Sequence, residues 1–330
     1  MNAIALAIGD PNGIGPEIAV KAALRLARGA APRIILVGDE HVIRFHADQC
    51  DAAGLLKRVG SDNAAAPDGL LFLPVDAIAP ADFRPGAPSA AGGRATVAYV
   101  ESALALVDKG DAAAIVACPH SETSVNAAGI PFSGYPSLLA RLRQVPEDEV
   151  FLMLVGGGLR IVHVTLHERL QAALARITPR LVATAARTAV DALRRLGLDQ
   201  PRIGVFGINP HAGEGGLFGD DDDRIVAPTV ERLRSEGYQV EGPVGADLML
   251  GRADFDAFIA MYHDQGHIPV KLLAGRNSAA MSIGAGAVFS SVGHGSAFDI
   301  AGRNIADCLP VLRSISLVSG ANRLEQGAAG

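Results

Sequence analysis

The sequence predicts an α/β protein built on mostly parallel sheets, and three observations lead to this class. Short apolar segments of β character alternate with amphipathic helical segments along nearly the whole chain. Such alternation is typical of parallel strands joined by helical crossovers. The chain has 330 residues, which is enough for about two domains of ordinary size. Hydrophobic residues make up 49% and charged residues 19%, so a large core can form and a disordered or fibrous chain is excluded.

The first half of the chain contains clear strand and helix signals. Residues 3–8 are continuously apolar, as expected for a strand covered on both faces. Pro16 stands where a first helical turn is expected, and Gly29 is expected to end that helix. The other predictions in this half are strands at 33–37 and 113–117, a helix at 95–107 and a loop rich in Pro, Ala and Gly at 85–93.

The second half continues the pattern. Residues 151–155 and 160–165 flank three consecutive glycines, which predicts a hairpin. Thr178 and Pro179 begin a helix with one apolar face, and Gly197 is expected to end it. The other predictions are strands at 203–208, 257–261 and 280–283, a helix N-terminal cap at the acidic run 220–223 and a frayed end at 326–330.

Composition excludes several classes of partner. The net charge is −6 and no run of five basic residues occurs, so neither nucleic acid nor an anionic membrane is an expected partner. Three cysteines without a CxxC pair predict neither a disulfide framework nor a thiolate metal site. The first apolar segment is short and lacks a basic flank, so we expect neither a signal peptide nor a membrane span. A soluble cytoplasmic protein is the expected class.

Three histidines follow predicted strands, where ligands collect in open α/β sheets. They are His167, His211 and His263. Three imidazoles with an open fourth position suit catalytic zinc and also other divalent ions. A single histidine is more often a hydrogen-bonded structural residue, and for these three together the residues alone leave the metal and the structural interpretations evenly balanced.

Other motifs are less specific. Residues 9–17, Gly-Asp-Pro-Asn-Gly-Ile-Gly-Pro-Glu, lie between a strand and a helix and are either a tight turn or an anion site at a helix N-terminus. The segment is not GxGxxG, and neither GxxxxGK[ST] nor GxSxG occurs in the chain. Lys271, eight residues after His263, is either a cation for substrate or a solvated lysine.

Several strings together resemble the 4-hydroxythreonine-4-phosphate dehydrogenase family. They are residues 9–17, Asn-Pro-His-Ala-Gly-Glu-Gly-Gly at 209–216, Tyr-His-Asp-Gln-Gly at 262–266 and His-Gly-Ser-Ala-Phe-Asp-Ile-Ala-Gly-Arg at 294–303. The last string is also similar to the NAD loop of isocitrate and isopropylmalate dehydrogenases. The resemblance implies their fold, two α/β domains with a central cleft. The first domain would comprise 1–122 and 295–330, and the second, with the metal histidines and the dimer interface, 123–294.

The resemblance also implies cofactors and partners, namely NAD, a divalent metal, most readily zinc, and a homodimer with shared active sites. The implied metal ligands are His167, His211 and His263, the last donated by the partner chain. The implied NAD residues are His294, Gly295, Ser296 and Asp299. Lys271 would bind substrate, and Lys271, Asp264 and His211 would form the catalytic set.

Three departures from the phosphate-using enzymes concern substrate. Tyr135 and Pro136 replace a His-Thr pair, Ala280 replaces an asparagine, and Phe289 replaces an arginine. Arginine offers phosphate a charged donor fork that phenylalanine lacks. Each lost donor of this kind removes about 1.5–3 kcal/mol of binding. A phosphorylated substrate is therefore not expected.

The pocket strings instead resemble the terephthalate cis-dihydrodiol dehydrogenase branch of the family. They are residues 118–123, 132–140, 151–156, 159–168, 267–269 and 290–294. This resemblance implies oxidative decarboxylation of the diol to protocatechuate, CO2 and NADH, with His120, Tyr135 and His267 recognising the ring and carboxylates. The alternatives are a 4-hydroxythreonine-4-phosphate dehydrogenase of pyridoxal phosphate biosynthesis and a metal-bound small-molecule binding protein without turnover.

Overall fold

The structure, a computed structural model, describes residues 3–27, 32–60, 69–275 and 278–319. The predicted end of the first helix at Gly29 and the predicted frayed end at 326–330 lie outside these residues. Within them, no helix is long and apolar enough to cross a membrane. Cys50, Cys118 and Cys308 are free cysteines.

Strands and helices alternate, and the predicted α/β class is confirmed. The strands are β1 Ala3–Ala7, β2 Ile34–Gly38, β3 Leu56–Arg58, β4 Leu70–Pro74, β5 Ala112–Ala117, β6 Phe151–Gly156, β7 Leu159–His163, β8 Ile203–Phe206, β9 Val240–Val244, β10 Ala257–Ala260, β11 Ala279–Ile283 and β12 Val288–Val292. The helices are α1 Gly15–Ala27, α2 Glu40–Asp48, α3 Ala90–Asp108, α4 Glu122–Ala127, α5 Tyr135–Arg143, α6 Leu170–Arg176, α7 Pro179–Arg195, α8 Ala227–Ser235, α9 Ala246–Leu250, α10 His263–Ala274 and α11 Leu309–Val318.

The chain divides into two compact units. The first runs up to Tyr135 and resumes at Ala287, and the second runs from Pro136 to Gly286. The domain boundaries predicted from the sequence lie instead after residue 122 and after residue 294. The first unit extends further because α4 packs on α3 and because β12 pairs with β5, which keeps both elements with the first unit.

The first unit holds a parallel sheet in the order β3-β4-β2-β1-β5-β12. All five residues of β1 are buried, as the continuous apolar run predicts. Helix α3 begins at Ala90, with the Ser89 side chain accepting a hydrogen bond from the Gly92 amide, so the predicted loop is shorter than expected. A Cβ on Gly93 would overlap the Ser124 carbonyl. The glycines therefore serve close helix packing rather than a loop.

The second unit holds strands in the order β11-β6-β7-β10-β8-β9. The predicted hairpin is present, since β6 and β7 pair antiparallel through Gly157 and Gly158, both with positive φ. Strands β7, β10, β8 and β9 are mutually parallel. Thr178 caps α7 by accepting from the Leu181 amide, as predicted. The carboxyl ends of β7, β10 and β8 consequently meet at one edge of the sheet.

The buried His46 on α2 makes the stability of the first unit sensitive to acid. Burial lowers the pKa of His46 to about 4, below its ordinary value of 6.5. Between these pH values the unfolded chain binds the proton and the folded chain does not, so stability is lost as pH falls. We expect His46 to account for about 3 kcal/mol of lost unfolding free energy over this range.

The test is urea unfolding at several pH values between 6.5 and 4 for the wild type and His46→Leu. The variant should lose less unfolding free energy on acidification than the wild type. Equal losses in the two proteins would contradict this assignment.

Candidate active site

The shared sheet edge of the second unit collects the histidines predicted as metal ligands. His167 follows β7, His263 is the first residue of α10 after β10, and His211 follows β8. Their strands are neighbours and parallel, and the carboxyl ends of such strands are where α/β sheets bind ligands. Topology thus places all three side chains at one edge, as the strand pattern predicts.

His167 and His263 lie side by side in one chain. Their ring centroids are 5.3 Å apart. Both rings line a cavity of about 280 Å³. The residues around it are Leu166, His167, Glu168, Leu170, Ala173, Tyr262, His263 and Asp264. The cavity therefore combines apolar walls with two imidazoles and two carboxylates.

Two of the predicted ligands each have a carboxylate on Nδ1. The Nδ1 of His263 lies 2.7 Å from Oδ1 of Asp264, and the Nδ1 of His211 lies 3.0 Å from Oε2 of Glu214. A carboxylate accepts, so each Nδ1 carries the hydrogen and each Nε2 is left as a lone pair. Metal-binding histidines commonly have this arrangement, so these donors fit a divalent ion.

Within the described residues of one chain, the three predicted ligands do not form a complete metal-binding set. The described residues contain no group of three His, Cys, Asp or Glu side chains arranged to hold a metal ion. The His211 ring packs against Phe218 at 5.9 Å. Within this chain the His263 ring lies beside His167 because β7 and β10 are adjacent, and donation of His263 by the partner chain stays a prediction.

The loop that carries His211 has a strained backbone and is held in place by hydrogen bonds to Asp222. His211, Ala212 and Glu214 all have φ between 43° and 54°, the left-handed region that non-glycine residues rarely adopt. Asp222 is buried, and its two carboxylate oxygens accept the amides of Ile208 and Asn209 at 2.7 and 2.9 Å. Such strain persists only where surrounding contacts impose it.

The acidic run at 220–223 therefore has a different role from the predicted one. A π-helical turn covers Asp222–Val226, and no side chain caps its start. The Asp222 carboxylate instead fixes the base of the His211 loop. No local sequence pattern predicts this contact, since it joins residues 13 and 14 positions apart across a glycine-rich loop.

Replacing Asp222 by alanine should destabilise this loop. The change leaves two amides without their acceptor, and each charge-assisted hydrogen bond contributes about 1.5–3 kcal/mol. We expect unfolding free energy to fall by about 3 kcal/mol or more and metal affinity to fall with it. Asp223→Ala, on the exposed neighbour, is the matched control in urea unfolding and zinc titration. Equal effects in the two variants would refute this role for Asp222.

Gln265, which sequence reasoning missed, ties two of the strand ends together. Its Oε1 accepts the Met261 amide and its Nε2 donates to the Gly207 carbonyl, both at 2.7 Å. Residue 261 follows β10 and residue 207 follows β8. Gln265 belongs to the Tyr-His-Asp-Gln-Gly string, but the sequence does not show that its side chain contacts the residue after β8.

His163, also missed, lies beneath His267. The Nε2 of His163 is 2.9 Å from the Nδ1 of His267, and the Nδ1 of His163 is 3.2 Å from the Leu152 carbonyl. The His267 ring stacks on His263 with 3.7 Å between centroids. Burial lowers the pKa of His163 to about 3 and that of His267 to about 4. His163 lies four positions before His167, but it is the last residue of β7, so the sequence pattern marks it as an ordinary strand residue.

Lys271 lies two helical turns after His263 on α10. Its Nζ donates to Oγ of Ser278 at 2.7 Å. Burial lowers the pKa of Lys271. Lys271 is exposed, and its ammonium group uses one donor on Ser278 and keeps further donors for an anion.

Two predicted substrate residues, His120 and Tyr135, lie in an aromatic cluster of the first unit. The His120 ring is 4.6 Å from Tyr135, which is 4.9 Å from Phe289, and Phe132 completes the cluster. The Tyr135 hydroxyl donates to the Cys118 carbonyl at 3.2 Å, and burial raises the pKa of Tyr135. Burial also lowers the pKa of His120 to about 4. Phe289 is fully buried behind Tyr135.

The loop predicted to bind NAD is partly exposed and partly packed. Gly295 and Asp299 are exposed, and the Nδ1 of His294 donates to the Gly295 carbonyl at 3.2 Å. A Cβ on Gly295 would meet no heavy atom within 4 Å, and its φ is not positive, so protein packing does not require this glycine. Ser296 is buried against Gly13, and its carbonyl accepts the Ile14 amide. Open space at Gly295 and an exposed carboxylate fit a dinucleotide with ribose hydroxyls.

The segment 9–17 is a turn stabilised by its own polar side chains. Asp10 is buried and its Oδ1 accepts the Asn12 amide, while burial raises the pKa of Asp10. The Asn12 side chain accepts the Arg84 amide. The buried Glu17 accepts the Ala306 amide and pairs with a lysine. Two buried acids disfavour the anion interpretation of this segment.

An α/β fold that presents imidazoles and a lysine at the carboxyl ends of parallel strands is typical of an enzyme that acts on a small molecule. The family model described as pyridoxal phosphate biosynthetic protein PdxA matches residues 30–318. The chain belongs to this family.

The chain is similar over nearly its whole length to several dehydrogenases. The chain is 48% identical over 315 residues to 1,2-dihydroxy-3,5-cyclohexadiene-1,4-dicarboxylate dehydrogenase of Comamonas sp, with 96% of each chain covered. It is 53% identical to the solved terephthalate 1,2-cis-dihydrodiol dehydrogenase of Burkholderia xenovorans LB400, with 97% and 98% covered and a TM-score of 0.77. It is 34% identical to the solved 4-hydroxythreonine-4-phosphate dehydrogenase of Klebsiella pneumoniae, with 97% and 99% covered and a TM-score of 0.84. The chain is thus an oxidoreductase, and its fold alone does not distinguish the two substrates.

Proposed function

We propose that the chain oxidises the cis-dihydrodiol of terephthalate with NAD and a divalent metal ion, and that the product loses CO2 to give protocatechuate. The observation that carries this proposal is the 48% identity, over 96% of both chains, to a dehydrogenase named for a dihydroxycyclohexadiene dicarboxylate. Identity to the Klebsiella pneumoniae enzyme named for hydroxythreonine phosphate is lower, at 34%.

The proposed reaction balances one hydride, one carboxylate and one proton. In this diol a secondary hydroxyl lies beta to a carboxylate. The carbon that bears the hydroxyl gives a hydride to NAD, the hydroxyl gives up its proton, and a ketone forms. The bond from the ring to the carboxylate then breaks, CO2 leaves, and the electron pair forms an enolate whose oxygen takes up a proton. The ring becomes aromatic, which favours the loss of CO2.

The proposed metal ligands are His167, His211 and His263. A divalent ion at these imidazoles would act as a Lewis acid towards the substrate's reacting oxygen, and three nitrogen donors favour zinc or a transition ion. Asp264 holds the His263 ring by its Nδ1 and leaves Nε2 as the donor atom. The described residues of one chain do not bring all three histidines together around a metal ion. We therefore assign at least one of the three ligands to a second copy of the chain, in a homodimer with shared sites.

The remaining roles follow the chemistry of each side chain. His294, Gly295, Ser296 and Asp299 form the proposed NAD loop, with the exposed Asp299 able to accept from ribose hydroxyls. Lys271 is the proposed partner of a substrate carboxylate.

The aromatic cluster of the first unit favours a ring over a phosphate. Tyr135 and Phe289 pack together at 4.9 Å, and Phe289 is fully buried. Phenylalanine offers no donor to a phosphate oxygen, and the Tyr135 hydroxyl is already bonded to the backbone. His120, at the edge of this cluster, is the proposed contact to the aromatic substrate.

The test is NADH formation with the cis-dihydrodiol of terephthalate, first with zinc and then with EDTA, with 4-hydroxythreonine 4-phosphate run alongside. We expect turnover of the diol alone, lost with EDTA and restored by zinc, with protocatechuate and CO2 in equal amounts. Turnover of the phosphate ester alone would replace the proposal by the phosphate-using alternative. NAD binding without turnover of either compound would favour the binding protein.

A further inference from the structure

A line of hydrogen bonds runs from the Leu152 carbonyl through His163 to His267. The carbonyl only accepts, so the Nδ1 of His163 carries the hydrogen of the 3.2 Å contact. His163 is completely buried, where an ionised ring lacking a counter-charge is strongly disfavoured. Its Nε2 is therefore a lone pair, and it accepts the hydrogen on the Nδ1 of His267 at 2.9 Å.

The hydrogen bond from the Nδ1 of His267 to His163 determines whether the Nε2 of His267 donates or accepts. With its hydrogen on Nδ1, a neutral His267 presents a lone pair at Nε2 and has no donor left. The ring stacks on His263 with 3.7 Å between centroids, and Lys271 lies one helical turn further on. A neutral acceptor pairs with a hydroxyl and repels a carboxylate, whose oxygens only accept.

We propose that His163 is a positioning residue that fixes the tautomer of His267, so that the Nε2 of His267 accepts a hydrogen bond from a substrate hydroxyl, while Lys271 on the same helix face binds a substrate carboxylate. Residues four apart on a helix have neighbouring side chains. The pair therefore matches a compound with a hydroxyl and a carboxylate on nearby carbons. The resemblance assigned His267 to the ring and carboxylates, and this proposal replaces that assignment with a substrate hydroxyl.

Gly266 is an independent sign that the His163 ring has a fixed place. A Cβ on Gly266 would lie 2.5 Å from the Nε2 of His163 and 2.9 Å from Ile161. The glycine is buried and its φ is not positive, so close approach of the imidazole is the reason for its lack of a side chain. The helix turn that carries His267 is thereby seated directly on His163.

The choice of substrate rests on the proposed function, whereas the tautomer does not. Nitrogen NMR of the protein labelled with 15N-histidine reads the tautomer directly, with the His267 signals assigned by their loss in His267→Ala. We expect a single form of His267 with the hydrogen on Nδ1 in the wild type. His163→Gln, which keeps an acceptor near the Nε2 position, should retain that form, and His163→Leu should lose it. A His267 ring with its hydrogen on Nε2 in the wild type would overturn the proposal.

Calorimetric binding then separates hydroxyl from carboxylate recognition. The probes are the terephthalate dihydrodiol and terephthalate itself, which has both carboxylates but no hydroxyl. His267→Ala should weaken binding of the diol about tenfold, as expected for one lost hydrogen bond, and leave terephthalate binding within about twofold. His163→Leu should behave like His267→Ala, and Lys271→Met should weaken both probes.

Equal weakening of both probes by His267→Ala would overturn the hydroxyl assignment. A wild-type protein that binds neither probe and does not turn over the diol would instead refute the proposed function. The NMR measurement would still decide the role of His163 in that case. The two failures are therefore distinguishable.

Discussion

Replacing His263 by alanine is expected to lower kcat/KM for the dihydrodiol roughly a thousandfold and to remove most of the bound zinc. The ring is one of two imidazoles that line the cavity of the second unit, 5.3 Å from His167. Charge stabilisation by a bound metal is worth several kcal/mol in a transition state, and about 4 kcal/mol corresponds to a thousandfold in rate. The substitution removes a proposed metal ligand and leaves the hydrophobic core of the unit unchanged.

The measurements are zinc content by mass spectrometry and initial rates of NADH formation. Asp264→Asn should give a graded loss, about tenfold to a hundredfold, because it changes the partner of Nδ1 without removing the donor nitrogen. His41→Gln, on α2 of the first unit, is the control histidine and should retain metal and rate. If His263→Ala keeps both its zinc and its turnover, the metal assignment is wrong.

The histidines at this edge could be predicted because of where strands end. A continuous apolar run followed by a polar residue marks the carboxyl end of a buried strand, and His167, His211 and His263 each follow such a run. Which strand ends are neighbours is set by long-range pairing, which the sequence pattern does not contain. The contact between His167 and His263 therefore had to come from the parallel pairing of β7 with β10.

The residues that the sequence analysis missed were missed for a different reason. His163 lies within β7 and Asp222 within an acidic run, so each looks like an ordinary strand or surface residue in the sequence. Their roles arise from contacts made by burial, between His163 and His267 and between Asp222 and the amides after β8. Hydrogen-bond satisfaction of buried groups is decided by tertiary structure, which local pattern cannot supply.

Phe289 differs from the phosphate-using family members in sequence, and in the structure it is part of the packed core of the first unit. The sequence identifies it as the place of an arginine in phosphate-using relatives, which suggests a pocket residue. The structure instead buries it completely in β12, with its ring 4.9 Å from Tyr135. We therefore expect any influence of Phe289 on substrate to pass through Tyr135, whose ring also packs against His120 and Phe132.

Phe289→Ala is accordingly expected to reduce the free energy of unfolding by about 3–5 kcal/mol, the usual loss for a fully buried phenylalanine. The cavity also removes the support behind Tyr135, so we expect KM for the dihydrodiol to rise while kcat changes little. Phe289→Leu keeps most of the volume and should lose about 1.5 kcal/mol or less. Urea unfolding and initial rates give both quantities.

Phe45→Ala provides the matched control, because Phe45 belongs to the same unit but is 38% exposed. Its loss of unfolding free energy should be clearly smaller than that of Phe289→Ala. Phe289→Arg should unfold the unit rather than create a phosphate site, because a buried strand position offers the guanidinium neither water nor a counter-charge. A stable Phe289→Arg protein that oxidises 4-hydroxythreonine 4-phosphate would show that the buried position can open, and that the aromatic cluster is not what excludes a phosphate.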